Sequence, residues 1–109
     1  MINFEELAGI TGGDDDILHA IIGMYLEEHG SDEQLLIQQL DTGDVENMFH
    51  TVHTLKGALR SMCESETAEI LDNIEVLTKS GQLPNPDLLQ SAITGLGKIK
   101  DQLNQQLTI

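Results

Sequence analysis

Apolar residues recur at three- and four-residue steps along most of this chain of 109 residues. The clearest stripe consists of Val45, Met48, Val52, Leu55, Leu59 and Met62. Because an α-helix has about 3.6 residues per turn, this spacing gathers the side chains onto one face of a helix. A half-buried strand would show strict alternation instead. The pattern therefore favours an all-helical fold over a sheet.

Four long segments carry such stripes, and together they predict an all-α fold. We expect an antiparallel, up-and-down four-helix bundle with a short extra N-terminal helix over residues 2–10. The bundle helices are predicted over residues 14–41, in one piece or broken near Gly30, and over residues 44–63, 66–80 and 86–107. Connections this short place consecutive helices side by side in opposite directions.

Polar residues at the predicted helix starts support these boundaries. Asp44 and Asn85 precede apolar stripes and have side chains that can accept hydrogen bonds from free backbone N–H groups. Ser31 followed by Gln34 is typical of a capping box. Ser65 is predicted to cap the helix that follows it.

Composition limits the class of protein. The formal net charge is −14, which argues against nucleic acid or an anionic membrane as a partner. No apolar run approaches the roughly 18 residues that a membrane helix requires. The single cysteine, Cys63, fits a reducing compartment. We therefore predict a single, soluble, cytoplasmic and monomeric domain over residues 1–109.

His53 lies on the polar side of the helix with the clearest stripe, about 140° from the stripe centre at about 100° per residue. We expect its side chain to be exposed to solvent. Gly57, one turn on, leaves bare backbone beside the imidazole. Lys56 and Arg60, two of only five positive charges in the chain, lie on either side of that glycine. An exposed nucleophile, an open approach and local positive charge are what a phosphoryl-transfer site requires.

The other histidines favour no different chemistry. His50 and His53 are spaced to share a metal, but a metal site in a helical bundle needs ligands from other helices, and the sequence has no second Glu-x-x-His unit. We therefore predict no metal site. His50 is expected to line a partner-docking face, while His19 and His29 are expected at the surface.

The run His53-Thr54-Leu55-Lys56-Gly57 resembles the His-x-x-Lys-Gly signature of histidine-containing phosphotransfer (HPt) domains. The chain also resembles this family in its length, in its acidity and in the Gly43-Asp44 turn before the histidine helix. The following helix contains Ile74-Glu75, where the family often has Leu-Glu. The resemblance covers nearly the whole chain, although its specific motif is short.

The resemblance implies a phosphoprotein of multistep two-component phosphorelays. His53 would carry a phosphoryl group between aspartates of receiver domains, Lys56 would stabilise the phosphoryl charge with Arg60 as support, and Gly57 would keep the approach open. Response-regulator receivers, a hybrid sensor histidine kinase, or both, would be the partners. Mg²⁺ would come with the receiver, and the chain itself would have no cofactor. No nucleotide-binding glycine loop occurs, so we expect a phosphocarrier rather than a kinase.

Two further expectations concern partner choice. Glu64 is predicted to share the face of His53, roughly two to three turns away, and to contact the partner. Cys63 is predicted to pack at the edge of the core.

A different function stays open beside phosphotransfer, namely a non-catalytic helical bundle that binds receiver domains. The intact His53, Lys56 and Gly57 count against that alternative.

Overall fold

The computed structural model describes residues 1–108, and six helices lie within them. They are α1 (Phe4–Thr11), α2 (Asp15–His29), α3 (Asp32–Thr42), α4 (Val45–Ser61), α5 (Glu66–Lys79) and α6 (Pro86–Leu107). The first long segment is broken between α2 and α3, at Gly30 and Ser31. The predicted all-α bundle with a short extra N-terminal helix is confirmed. Within the described residues, no helix is both long and apolar enough to cross a membrane.

Two helix starts follow the capping chemistry of the sequence. The side chain of Asp44 accepts a hydrogen bond from the backbone N–H of Asn47 at the start of α4. Asn85 accepts one from the backbone N–H of Leu88 at the start of α6. Both contacts satisfy backbone donors that have no partner within the helix. They therefore fix the first turns of the two helices.

Ser31 and Ser65 stand at the predicted cap positions of α3 and α5, but the predicted capping hydrogen bonds are wrong. Neither Ser31 nor Ser65 makes a side-chain hydrogen bond at the start of the helix it precedes. At α5 the carboxylate of Glu64 takes this role, because it accepts hydrogen bonds from the backbone N–H of Thr67 at 3.2 Å and of Ala68 at 2.9 Å. A carboxylate near a helix N-terminus also interacts favourably with the helix dipole.

The core lies along the predicted stripes. The fully buried side chains include Leu7, Ile22, Leu36, Met48, Leu55, Leu59, Leu71, Ile74, Ile99 and Leu103. Ile17 and Leu35, which the sequence also places on apolar faces, are exposed instead. The apolar faces of α2 and α3 are therefore wider than the surfaces with which these helices pack.

Helices α4 and α5 form an antiparallel hairpin. His53 on α4 meets Glu75 on α5, and Lys56 meets Asp72. As α4 advances by three residues, its partner on α5 moves back by three, as antiparallel packing requires. The polar contacts lie on the outer side of the hairpin, since the apolar side chains of both helices point into the core.

Two glycines in helix interiors have opposite surroundings. A methyl group added at Gly57 on α4 would meet no atom within 4 Å. A methyl group added at Gly95 on α6 would collide with the side chain of Thr67 on α5. Gly95 therefore allows α5 and α6 to approach closely, whereas Gly57 leaves open space at the surface.

The segment before α1 is clamped against the other end of the chain. The backbone N–H of Ile2 donates to Oε1 of Gln102, and the Ile2 carbonyl accepts from Nε2 of the same side chain, each at 2.9 Å. The backbone N–H of Asn3 donates to the carbonyl of Cys63 at 3.2 Å. The chain start is thus tied both to α6 and to the turn between α4 and α5.

Candidate functional site

His53 projects from the outer face of α4, and its side chain is 63% exposed. This agrees with its angular position opposite the apolar stripe. Its Nδ1 lies 2.6 Å from Oε1 of Glu75 on α5. Because an ionised carboxylate only accepts hydrogen bonds, Nδ1 carries the hydrogen and donates it. In the neutral form of the imidazole the lone pair is therefore on Nε2, which has no hydrogen-bond partner among residues 1–108.

Lys56 lies one turn after His53 and is paired with two carboxylates. Its Nζ lies 2.8 Å from Oε2 of Glu75 and 3.0 Å from Oδ1 of Asp72. Glu75 thus uses one oxygen for the imidazole and the other for the ammonium group. The four side chains form one network across α4 and α5. The sequence predicted the lysine in this place but not the carboxylates that neutralise it.

The network keeps Lys56, Glu75 and Asp72 charged at neutral pH. Hydrogen bonds to Glu75 and Asp72 raise the pKa of Lys56, although burial opposes this. Burial favours a higher pKa for Glu75, but hydrogen bonds from Lys56 and His53 outweigh it and lower the pKa below its usual value. The hydrogen bond from Lys56 likewise lowers the pKa of Asp72. Two carboxylates and one ammonium group therefore stand beside the imidazole.

Phe49 restricts the imidazole from a second direction. Its ring stacks on His53 with the centroids 5.9 Å apart and the planes at 14°. Its ring also meets the ring of His50 in an edge-on arrangement at 5.3 Å. The sequence reasoning missed Phe49, although its spacing of four residues from His53 on a helix was an available signal. His50 is exposed on α4, one turn before His53, where a docking partner can reach it.

Gly57 and Arg60 occupy the surface beyond His53, where the sequence placed them. Both residues are exposed, and the space around Gly57 is open. The charge of Arg60 contributes to the lowered pKa of Asp72, after the larger effect of Lys56. Their roles in access and charge stabilisation stay predictions.

Glu64 does not belong to this surface. The residue is 1% exposed, and its carboxylate accepts hydrogen bonds at the start of α5 and from the α-amino group of Met1 at 3.0 Å. The prediction that Glu64 shares the face of His53 is therefore wrong. The reason is that α4 ends at Ser61, and Cys63 has a left-handed backbone with φ of 62°, so the helical angle no longer applies.

The predicted surface position of His29 is also wrong. Its side chain is 8% exposed, and its Nδ1 lies 2.7 Å from Oδ2 of Asp32. The ring of Tyr25 packs against it with the centroids 5.5 Å apart. His19 is half-buried on the same helix. Neither histidine shares the combination of exposure and a nearby lysine that His53 has.

Comparison with known protein families matches residues 20–108 to the family described as Hpt domain. The match begins within α2 and contains the whole of α3, α4 and α5, so every member of the network around His53 falls inside it. No curated protein and no solved structure matches the chain.

Proposed function

The chain belongs to the Hpt domain family, and we propose that it carries a phosphoryl group on His53 between aspartates of receiver domains. Histidine phosphotransfer in phosphorelays is the activity of this family, whose members are phosphocarriers rather than kinases. The observation that carries the assignment to His53 is the hydrogen bond from Nδ1 to Glu75, which leaves Nε2 as an exposed nucleophile. A donor receiver and an acceptor receiver would dock on this surface in turn.

The transfer itself needs no separate base. The Nε2 lone pair of His53 attacks the phosphorus of the receiver's aspartyl phosphate, the bond from phosphorus to the carboxyl oxygen breaks, and the aspartate leaves as a carboxylate. Nδ1 keeps its hydrogen throughout. The imidazole gains positive charge in this step, and the carboxylate of Glu75 lies in place to stabilise it. Attack by the aspartate of a second receiver reverses the same steps.

Lys56 would offset the negative charge of the phosphoryl oxygens. An ammonium group has three hydrogens, and Nζ donates two of them to Glu75 and Asp72. A phosphoryl group on the adjacent imidazole would share this ammonium group with the two carboxylates. Arg60, further along the same helix, would add a weaker and more solvent-screened positive charge.

Gly57 and His50 would take part in docking rather than in bond making. The open surface at Gly57 lets a receiver bring its aspartyl phosphate close to Nε2. We place the Mg²⁺ of the reaction on the receiver, because the carboxylates nearest to His53 are already paired with Lys56. Residues 1–108 also contain no group of three or more metal-ligating side chains placed to hold an ion.

The test is phosphoryl uptake from a panel of receiver domains that carry a radioactive phosphoryl group on their aspartate. We expect acid-labile label on the wild-type protein and none on His53→Gln. His19→Gln, which removes a histidine of α2, is the matched control and should take up label like the wild type. Label that survives the His53→Gln substitution, or label that is stable to acid, would contradict the assignment. Binding of a receiver with no label on any variant would show a non-catalytic interaction bundle instead.

A further inference from the structure

The two carboxylates that hold Lys56 differ in exposure and in their other contacts. The side chain of Glu75 is 15% exposed and also holds His53, whereas that of Asp72 is 42% exposed. Within residues 1–108, the Asp72 side chain makes its hydrogen bond to Lys56 alone. Loss of Glu75 would remove the hydrogen-bond partner of the imidazole as well as one of the two partners of the lysine. Loss of Asp72 would change the surroundings of Lys56 and leave the contact of His53 with Glu75 intact.

Asp72 and a phosphoryl group on His53 would compete for the same ammonium group. A phosphoryl group on a side chain has about two negative charges at neutral pH. Lys56 lies three residues after His53, so the two side chains share one edge of α4. Asp72 holds Nζ on the α5 side at 3.0 Å and adds a negative charge of its own to the site. Both effects favour the unphosphorylated form over the phosphorylated form.

Building on the proposed function, we infer that Asp72 is a positioning residue that sets the equilibrium of phosphoryl transfer through Lys56. Because Asp72 holds the ammonium group of Lys56, the phosphohistidine is less stable than it would be without Asp72. The phosphoryl group therefore passes on more readily to the next aspartate. The reaction that it biases is the exchange of an aspartyl phosphate and a neutral histidine for an aspartate and a phosphohistidine. Asp72 makes no hydrogen bond to His53, and it acts on the site through the ammonium group and through its own charge.

The ionisation of Asp72 agrees with this role. The hydrogen bond from Lys56 lowers the pKa of Asp72, so its charge is present throughout the neutral range. Other charges near Lys56 are Glu75, which holds the imidazole, and Arg60, which lies further along α4. Of the two carboxylates, Asp72 is therefore the one whose charge can be removed without breaking a hydrogen bond of the imidazole.

The experiment compares Asp72→Asn with Glu69→Gln, which removes an equal charge from an exposed position one turn earlier on α5. Each protein is equilibrated with a receiver that phosphorylates the wild type, and the ratio of phosphohistidine to aspartyl phosphate is measured. We expect Asp72→Asn to raise this ratio roughly two- to fivefold, the size of one solvent-screened ion pair. Glu69→Gln should leave it unchanged, and Asp72→Glu should restore the wild-type ratio.

A second readout needs no receiver. Phosphoramidate is used to phosphorylate His53. The ionisation of the phosphoryl group on this residue is then followed by ³¹P NMR as a function of pH. Asp72→Asn should lower the pKa of the phosphoryl group, because the dianion gains the lysine and loses a neighbouring negative charge. A purely structural role of Asp72 would not produce this shift.

The outcomes separate the inference from the proposed function. If His53 of the wild-type protein accepts no phosphoryl group from any donor, the proposed function fails and the inference falls with it. If the wild type is phosphorylated but Asp72→Asn behaves like Glu69→Gln in both measurements, the inference alone is overturned.

Discussion

The turn of the α4–α5 hairpin and its middle each contain a glutamate, and the two carboxylates do different things. At the turn, Glu64 is buried and accepts hydrogen bonds from backbone N–H groups at the start of α5. In the middle, Glu75 accepts hydrogen bonds from two side chains of the facing helix, His53 and Lys56. Backbone partners make the first glutamate part of the framework. Because its partners are side chains, the second glutamate lies beside an exposed histidine.

The largest effect on stability should come from Glu64→Leu, which tests whether the buried glutamate at the turn stabilises the fold. The substitution leaves the N–H groups of Thr67 and Ala68 without their acceptor in a buried place. We expect the free energy of unfolding to fall by roughly 2–4 kcal/mol. Urea denaturation followed by circular dichroism measures this change.

Glu66→Gln is the control for that experiment, since Glu66 lies in the first turn of α5 and is exposed. It should change the free energy of unfolding by less than about 0.5 kcal/mol. Unfolding of Glu64→Leu at the urea concentration that unfolds the wild type would show that the buried cap does not stabilise the hairpin.

The next effect concerns access to the middle of the hairpin. Gly57→Gln should slow phosphoryl transfer at least about tenfold, because the new side chain fills the space that a receiver needs. The same substitution should raise the free energy of unfolding by roughly 0.5–1 kcal/mol, since glycine is unfavourable in an exposed helix. The measurement is the transfer rate from a phosphorylated receiver beside a urea denaturation curve.

Gly9→Gln on α1 is the matched control, because Gly9 is also exposed, helical and free of neighbours within 4 Å. It should show the gain in stability without the loss of transfer. Wild-type transfer by Gly57→Gln would place the docking surface elsewhere.

The smallest effect should be a change in acid sensitivity when Lys56 is replaced by Ala. The folded protein lowers the pKa of Asp72 and Glu75 below their usual values of 3.8 and 4.5. Carboxyl groups of this kind add stability above their unfolded pKa and lose it as the pH falls through their folded pKa. Wild-type stability should therefore decline below about pH 4.5, and Lys56→Ala should decline less steeply there.

Urea midpoints measured between about pH 7 and pH 3 check this prediction. Lys79→Ala, which removes an exposed lysine from the last turn of α5, is the control and should keep the wild-type slope. Parallel curves for all three proteins would mean that Lys56 does not couple these carboxylates to folding.

The helices could be predicted because the forces that define them act over a few residues. Apolar spacing and the caps Asp44 and Asn85 define helix faces and starts directly. The exposure of His53 followed from the same spacing, since its angle to the buried stripe is fixed by helix geometry. The break at Gly30 was left open by the sequence, because glycine and serine weaken a helix without ending it in every context.

The network around the histidine could not be predicted, because it depends on the register of two helices. Only the family resemblance indicates Glu75, and the sequence alone gives no signal for Asp72. Helical spacing predicts the wrong position for Glu64, because α4 ends at Ser61 and the spacing does not apply beyond it. Glu64 and Glu75 have the same side chain, so their roles can be assigned only when the groups that they contact are known.

The placement of these contacts along the chain has a consequence for the order of folding. The hydrogen bonds of the network join residues that are 16 to 22 apart in sequence, whereas the clamp between Ile2 and Gln102 joins residues 100 apart. Contacts between near neighbours form before contacts that must close a long loop. The hairpin is thus expected to assemble early and the chain start to dock late. Fluctuations that open the clamp between Ile2 and Gln102 would leave His53 with its partners, so the network would persist while residues before α1 are released.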